Sequence, residues 1–250
     1  MGVERTPALV IGSFPLGESD RVVAFFTRRF GKVRGVAKSA RRMRSRFGAA
    51  LELFTLGELI FFDSGRSELV QVDHFDIVRP FDAVRGDLER LGQAAFMVEC
   101  VARLTAERDP SAGVFSLLTR ALASVEANAR PSQVAVVFAV RCIDLLGHRL
   151  RTDVCVTCGR RITLTGTVAV GVDRGGTVCA SCVAPGTMAV SAGAVAALQR
   201  LRTTAWHDAT TTSLGRIEPE LRELLERHVA ALIGQSSRAS RFLREVCQAR

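Results

Sequence analysis

Aromatic residues other than phenylalanine are scarce in this 250-residue sequence, which has no tyrosine and one tryptophan. Sites that hold unpaired bases commonly use several stacked rings, so the shortage disfavours such a site. Long apolar runs are also missing: VAVVFAV at 134–140 has seven residues, against the roughly 18 of a membrane span. We therefore expect no membrane partner. Because no apolar core follows a basic start, we also expect no secretion signal and a cytoplasmic location.

Sequence motifs of catalysis are missing as well. Neither Gly-x-Ser-x-Gly nor His-Glu-x-x-His occurs, and the four histidines are scattered. The segment GSFPLGES at 12–19 has the two glycines of a phosphate-binding loop, but Glu18 stands where that loop needs lysine. Because nothing in the sequence assembles an active site, we expect a binding protein and not an enzyme.

Negative charge is missing from one stretch, GKVRGVAKSARRMRSRFG at 31–48. Positions 28–46 hold nine lysines and arginines, and the whole chain has a formal net charge of +9. Like charges repel, so such a cluster usually persists because a negatively charged partner lies against it. The composition therefore favours nucleic acid or an anionic surface as the partner.

Hydrophobic periodicity changes along the chain. Up to about residue 80, apolar β-branched and aromatic runs alternate with Gly, Pro, Ser and Asp, which indicates five short strands. These runs are ALVIGSF, RVVAFF, KVRGVA, FTLGELIFF and ELVQVDHFDIV. Five short strands fit a small closed barrel, either an oligonucleotide-binding (OB) fold or an SH3-like barrel. From about Asp82 the apolar residues recur three and four apart, as on a buried helix face.

We therefore predict an α+β multidomain protein. An N-terminal five-stranded OB-fold β-barrel at 1–80 is followed by an α-helical domain whose two parts, 81–152 and 187–250, flank a four-cysteine module at 153–186. The helical pattern runs through VFSLLTRALASV and VAVVFAVRCIDLLG before the module, and through residues 221–233 after it.

Two Cys-x-x-Cys pairs lie in this module, Cys155/Cys158 and Cys179/Cys182, with twenty residues between them. Zinc prefers a tetrahedron of thiolates, and two such turns complete a closed site with no open position for water. We therefore predict one structural Zn²⁺. A redox dithiol is the alternative, but thioredoxin-type pairs come singly in a βαβ context that this sequence does not indicate. The remaining cysteines are predicted to be small core residues: Cys100, Cys142 and Cys247.

The basic stretch is predicted to form one exposed stripe. A strand's period of two along KVRGVAK turns its cations to one side and its small apolar residues into the barrel. Phe30 and Phe47 are the aromatic residues among these cations, and we expect both in the barrel core, so that binding is electrostatic and tolerant of base sequence. A merely solvated basic face is the alternative. The predicted DNA-contacting residues are Arg28, Arg29, Lys32, Arg34, Lys38, Arg41, Arg42, Arg44 and Arg46.

These features together resemble the bacterial RecO family. The resemblance rests on GESDRVVAFFTRRFGKVRGVAKSARRMRSRFGAALELFTLGEL at 17–59. There the family carries a Gly-Glu-x-Asp-like loop, a strand, Gly-Lys, a second strand and an Arg/Ser-rich segment that runs into LELFTLGEL. The resemblance continues through the helical middle and the four-cysteine module. Some members have lost zinc ligands, whereas this chain retains all four.

The resemblance implies a function in DNA repair. It implies binding to single- and double-stranded DNA, annealing of complementary strands, and help in loading RecA onto DNA coated with the single-stranded DNA-binding protein SSB. The implied partners are RecR and the acidic C-terminal tail of SSB, and the implied location is the cytoplasm, at the nucleoid. For the tail we expect an apolar groove among the helices, rimmed by arginines such as Arg120 and Arg141.

Two other functions fit the same residues. An OB barrel with a zinc ribbon is also suited to binding RNA, and a basic stripe can meet an acidic protein tail in an interaction adaptor. Relative affinities for single-stranded DNA, for RNA and for such a tail discriminate among the three.

Overall fold

Five N-terminal strands form a closed barrel. The computed structural model describes residues 2–127, 130–235, 238, 239 and 242. The barrel strands are β1 (Gly2–Leu16), β2 (Asp20–Thr27), β3 (Gly31–Ala37), β4 (Leu56–Asp63) and β5 (Leu69–Arg79). Their order is β1-β2-β3-β5-β4, with β3 and β5 parallel and the other neighbours antiparallel. This Greek-key barrel is the OB fold, so that prediction is confirmed.

The barrel interior is built from alternate residues of each strand. Those of β3 are, as predicted, Val33, Gly35 and Ala37. A Cβ atom at Gly35 would lie 2.6 Å from a methyl carbon of Val72, so the close approach of β3 to β5 requires glycine there. The rings of Phe25 and Phe75 fill the interior with centroids 5.3 Å apart.

The segment 38–55 between β3 and β4 folds into successive turns on the barrel. Its apolar residues Phe47 and Leu51 are buried in the barrel core. At its far end, the Phe54 N–H donates to the Val10 carbonyl over 2.9 Å, which ties the segment to β1. Burial of these apolar side chains therefore anchors the segment, with its arginines, to the barrel.

The described helices lie on both sides of the cysteine pairs. Before the pairs come α1 (Asp82–Arg85), α2 (Leu88–Leu104), α3 (Ala112–Ala127) and α4 (Pro131–Leu145); after them come α5 (Ala192–Thr203), α6 (Trp206–Thr211) and α7 (Glu218–Ile233). The side chains of Asp87 and Ser191 cap α2 and α5 by accepting backbone N–H bonds. Helix α4 is buried on most sides because α2, α3, α5, α6 and α7 pack around it. Across the described ranges, none of the helices combines the length and apolarity that crossing a bilayer requires.

The segment with the cysteine pairs carries a small sheet that is joined to the helices. Its strands β6 (Thr167–Gly171), β7 (Gly176–Val178) and β8 (Met188–Ser191) pair antiparallel in the order β7-β6-β8. Val168, Val170 and Val190 of this sheet are buried in the same core as the helices. Strand β8 lies beyond residue 186, where the module was predicted to end, so this sheet extends into the range predicted for the second part of the α-helical domain.

Two of the cysteines outside the pairs lie in this helical core. Cys100 and Cys142 are buried, as predicted, and burial raises the pKa of the Cys142 thiol to about 12. Both thiols therefore stay protonated and behave as small apolar groups. Cys247 and the rest of 243–250 lie outside the described residues.

The barrel packs directly against the helices. Leu9, Phe26 and Phe54 belong to the helical core, and the ring centroid of Phe26 lies 6.2 Å from that of Phe115. At the far end of β5, Arg79 donates two hydrogen bonds, 3.1 and 2.6 Å long, to a carboxylate oxygen of Glu126. Apolar burial and this ion pair together fix the barrel on the helical domain.

The start of β3 contacts the last turn of α2 and the segment that joins α2 to α3. Lys32 Nζ donates to the Ala102 carbonyl over 2.6 Å and lies 3.6 Å from a carboxylate oxygen of Glu107. Gly31 has a positive φ of 62°, and a Cβ atom there would lie 2.2 Å from the Asp109 carbonyl oxygen. Only glycine allows this approach.

Replacing Gly31 by alanine should lower the free energy of unfolding by about 3 kcal/mol or more, because the change adds a backbone clash to the strain of a positive φ. Urea unfolding followed by circular dichroism measures the loss. Gly65→Ala is the matched control, since Gly65 has a φ of 65° and nothing within 4 Å of its Cβ position; it should cost only about 1 kcal/mol. Equal losses in the two variants would contradict a tight contact with Asp109.

Candidate metal centre and nucleic-acid interface

The four paired cysteines come together, as their spacing predicts. The sulfurs of Cys155, Cys158, Cys179 and Cys182 all lie within 4.8 Å of one another, and those of Cys158 and Cys179 are 3.6 Å apart. Four thiolates at about 2.3 Å from a metal ion have sulfur–sulfur edges of roughly 3.8 Å in a tetrahedron. The observed separations therefore fit a four-coordinate metal site.

Backbone hydrogen bonds shape the two turns that present these sulfurs. In the first turn, the Cys155 N–H donates to the Arg160 carbonyl over 2.7 Å, and the Gly159 N–H donates to the Cys155 carbonyl over 2.9 Å. Gly159 has a φ of 75°, which closes this turn. In the second turn, the Cys182 N–H donates to the Cys179 carbonyl over 2.8 Å. Each turn thus brings its two sulfurs to one side.

The electrostatics of the cluster favour a bound cation. Backbone N–H groups, first that of Cys179 and then those of Cys158 and Thr157, lower the pKa of Cys155 to about 6. The neighbouring sulfurs of Cys179 and Cys158 raise the pKa of Cys182 to about 12. One thiolate forms easily, but four in such proximity repel one another unless a metal ion neutralises them.

Arg174 joins the two turns, a role that sequence reasoning missed. Its guanidinium donates to the Thr157 hydroxyl (3.3 Å) beside the first pair, and to the Cys182 carbonyl (3.2 Å) and the Thr187 hydroxyl (3.0 Å) beside the second. Contacts of this kind orient metal ligands. A lone arginine in a glycine-rich segment carries no sequence signal for this function.

The nine predicted DNA-contacting residues are largely exposed. Six of the nine have no carboxylate within 4 Å in the described part of the chain; they are Arg28, Arg29, Lys38, Arg41, Arg42 and Arg44. The last four lie on residues 38–46, which we name the basic loop. These four side chains are exposed, so the carboxylates of the protein compensate the positive potential there only in part.

Hydrogen bonds fix the basic loop to the neighbouring turn between β1 and β2. The Ser39 N–H donates to the Asp20 carboxylate over 2.8 Å, and Arg41 Nη1 donates to the Gly17 carbonyl over 2.7 Å. The bond from Ser39, and then the Ser19 hydroxyl, lower the pKa of Asp20; the nearby cations Lys38 and Arg42 contribute less. The loop is therefore held in one arrangement without neutralising its arginines.

Three other members of the predicted set are paired with carboxylates. Lys32, whose side chain is only 13% exposed, lies in the junction with the helices and is not part of the exposed surface. Arg34 lies 3.3 Å from Glu68, and Arg46 lies 3.6 Å from Asp73, in largely exposed ion pairs. Exposed pairs are worth at most about 1 kcal/mol, so a phosphate can compete for these two arginines.

Phe47 lies in the barrel core as predicted, whereas Phe30 is only partly buried and packs against that core. Phe47 is buried under the guanidinium of Arg46, and Phe30 packs edge-on against Phe61 with centroids 5.5 Å apart. The guanidinium of Arg29 lies 5.1 Å from the centroid of Phe30. Both rings therefore belong to the barrel, and the predicted aromatic residues do not protrude among the cations.

A second basic feature is a cleft of about 420 Å³ among α3, α4 and α5. Its apolar floor includes Leu117 and Leu145, and its arginines are Arg120, Arg141 and Arg202. The expected arginine-rimmed apolar groove among the helices is therefore present, and it includes both of the arginines named from the sequence.

Burial and pairing distinguish the arginines of this cleft. Arg202, whose side chain is 6% exposed, lies 3.0 Å from Asp144, yet its Nη1 has no hydrogen-bond partner in the described chain. Burial, and then the neighbouring Arg120, lower the pKa of Arg141, although its guanidinium stays charged. Arg120 itself is exposed. The cleft therefore offers positive charge beside an apolar floor.

The fold and the two sites define a class: an OB-fold protein with a basic loop, joined to a helical domain that holds four clustered cysteines with the spacing of a metal site. Comparisons with known proteins agree. Residues 1–81 match the family described as Recombination protein O N terminal, and residues 85–241 match Recombination protein O C terminal. The chain therefore belongs to the RecO family of DNA repair proteins, which confirms the sequence resemblance.

Individual relatives are similar along most of their length. A DNA repair protein RecO from Anaeromyxobacter sp. (strain Fw109-5) is 34% identical over 246 residues, which cover 97% of this chain and 96% of that protein. One from Geobacter metallireducens is 33% identical over 243 residues, 97% of each chain. One from Frankia casuarinae is 37% identical over 212 residues, 84% of this chain and 85% of that protein.

Replacing Cys155 or Cys179 by serine should abolish metal binding, because each change removes one of four ligands. Elemental analysis of the purified protein should find one metal ion per chain in the wild type and none in either variant. Amide hydrogen exchange in 153–186 should become faster at the same time. Cys142→Ala is the control: it removes a buried thiol outside the cluster and should retain the metal. A metal-free wild type would contradict the site.

Proposed function

We propose that the protein is a non-enzymatic recombination mediator. It binds single- and double-stranded DNA, anneals complementary strands, and helps to load RecA onto SSB-coated DNA in gap repair and homologous recombination. The observation that carries the proposal is the exposed basic loop, in which every cation except Arg46 has no carboxylate within 4 Å in the described residues. Membership of the RecO family supports it. Such a protein acts in the cytoplasm, at the nucleoid.

Annealing requires no covalent chemistry. Two complementary strands repel each other through their phosphates, so a protein that neutralises both lowers the barrier to their encounter. The exposed groups of the basic loop are arginines and a lysine, which bind phosphate without reading base edges. Because the protein holds strands of any sequence reversibly, base pairing alone selects the product.

The DNA-contacting surface in this proposal is narrower than the sequence suggests. It consists of the six cations that have no carboxylate within 4 Å in the described residues, together with Arg34 and Arg46, whose exposed carboxylate partners a phosphate can replace. It leaves out Lys32, which binds the helical domain. In the OB fold the loop between the first two strands borders the nucleic-acid face. The hydrogen bonds of Ser39 and Arg41 place the basic loop beside that turn.

The metal in this proposal is one structural Zn²⁺. Four cysteine sulfurs form a closed donor set, which suits zinc and leaves no position for a reacting water. Residues Cys155, Cys158, Cys179 and Cys182 would hold the ion, and Arg174 would orient the two turns around it. The ion then orders a segment whose own apolar cluster is small.

Replacing Arg41, Arg42, Arg44 and Arg46 by alanine should weaken DNA binding and slow annealing. For single strands, log affinity falls against log salt with a slope near −0.7 for each phosphate contacted, so the variant should show a shallower slope. Fluorescence anisotropy at several salt concentrations measures the slope, and a strand-annealing assay with bare and SSB-coated oligonucleotides measures the rate.

A matched control removes the same charge elsewhere. The exposed arginines Arg149, Arg160, Arg200 and Arg216 lie on the helical and cysteine-containing segments, and their replacement by alanine should leave the slope nearly unchanged. An unchanged slope in the basic-loop variant would exclude this loop from the DNA site. Competition by RNA that matches single-stranded DNA of the same length would instead favour the RNA-binding alternative.

The arginine-lined cleft is the proposed site for the acidic tail of SSB. Leu117 and Leu145 offer an apolar floor to the tail's apolar groups, while Arg120 and Arg141 offer charge to its carboxylates. Arg202, whose side chain is 6% exposed, also borders this cleft. RecR is proposed as a further partner, and RecA as an indirect one, on family membership.

Replacing Arg120 by alanine should raise the dissociation constant for a labelled SSB tail peptide by roughly tenfold, as expected for one lost charge-assisted contact. Fluorescence anisotropy measures this change. Arg216→Ala, which removes an exposed arginine that does not line the cleft, is the control. Cross-linking of the peptide to the barrel instead of the helices would contradict this placement.

A further inference from the structure

An aromatic ring lies exposed on the outer face of the barrel, in a part of the sequence without clustered cations. Phe14 on β1 is 61% exposed. It lies directly opposite Val22 on β2, which lies opposite Val36 on β3. Residues directly opposite one another point to the same side of a sheet, so these three side chains form one apolar row across three strands.

The ring lies along the sheet surface and does not stand away from it. A Cβ atom at Gly12 would lie 3.2 Å from Cε2 of Phe14, so the ring extends over this glycine. The same Cβ position is 3.6 Å from the methyl group of Ala24, the residue opposite Gly12. Because Gly12 and Ala24 are small, the ring has a shallow floor beside it and a face open to solvent.

Positive charge borders this row on two sides. Arg34 lies opposite Ala24, and its ion pairs with Glu68 (3.3 Å) and Glu107 (3.9 Å) are exposed, so a phosphate can compete for it. Lys38 follows Val36 by two residues at the start of the basic loop, and no carboxylate lies within 4 Å of it in the described chain. A strand whose phosphates lie on these cations would pass its bases over the ring of Phe14.

We propose that Phe14, on the floor formed by Gly12 and Ala24, is a stacking platform for an unpaired base of single-stranded DNA. The inference rests on the proposed DNA-binding function and adds a distinction to it. Cations bind the phosphates of single and double strands alike, whereas only an unpaired base can expose its face to a ring. Phe14 therefore raises the affinity for single strands and leaves that for duplexes unchanged.

The experiment compares Phe14→Ala with the wild type on a labelled oligothymidylate and on a duplex of the same length. Single-strand affinity should fall roughly tenfold, and duplex affinity and the salt slope should stay the same. Phe14→Trp should retain single-strand affinity, and its added fluorescence above the Trp206 background should be quenched by the oligothymidylate. Because Phe14 is exposed, the melting temperature should not change in either variant.

Phe62→Ala is the matched control, because Phe62 is an exposed aromatic residue on β4, a strand that does not adjoin β2 or β3. It should retain single-strand affinity. Unchanged single-strand binding in Phe14→Ala, an equal loss on single strands and duplexes, or an equal loss in Phe62→Ala would each overturn the platform while leaving the proposed function intact. A wild type that binds neither DNA at physiological salt would instead overturn the proposed function.

Discussion

Repulsion among the cations of the basic loop is the constraint on which the proposed function depends. Arg41, Arg42 and Arg44 share a short segment, and each raises the electrostatic free energy of the others. Burial of Phe47 in the barrel core and the hydrogen bond that Asp20 accepts from Ser39 offset this repulsion. The loop therefore keeps its cations together before any partner arrives, and a polyanion that binds it loses little free energy in ordering the protein.

Repulsion between like charges also governs the cysteine cluster, where the charged groups are negative thiolates. Its sulfurs cannot all ionise in such proximity without a metal cation, just as the arginines of the basic loop cannot be neutralised without an anion. Carboxylates that could neutralise the loop are engaged elsewhere: Glu107, in the segment between α2 and α3, lies 3.6 Å from Lys32, and Asp63 of β4 lies 2.7 Å from Arg108. Those carboxylates hold the barrel near the helices, so the acids stabilise the junction and leave the loop positive.

Local patterns predicted the five barrel strands, the main helices and the cysteine cluster, because a period of two and a Cys-x-x-Cys turn act over a few residues, but they did not predict the small sheet of β6, β7 and β8. They did not predict the pairing of Lys32 with Ala102, since that contact depends on how barrel and helices meet. Arg174 and Arg202 were missed for the same reason. Each is a lone arginine, and only the fold brings its partners close to it. Phe14 was missed because its exposure follows from strand register and from the floor at Gly12, neither of which composition reveals.

The basic loop and the arginine-lined cleft are separate surfaces, and in the proposed function this separation affects how DNA passes from SSB to this protein. The basic loop is carried on the barrel, whereas the arginine-lined cleft lies among α3, α4 and α5, so an acidic tail in the cleft does not occupy the cations of the loop. In the proposed assembly, SSB bound through its tail brings its DNA close to the barrel at a high effective concentration. Contacts that are individually weak and sensitive to salt then suffice to capture the strand. The same weakness lets the strand leave once it has paired, which a tight, base-specific site would prevent.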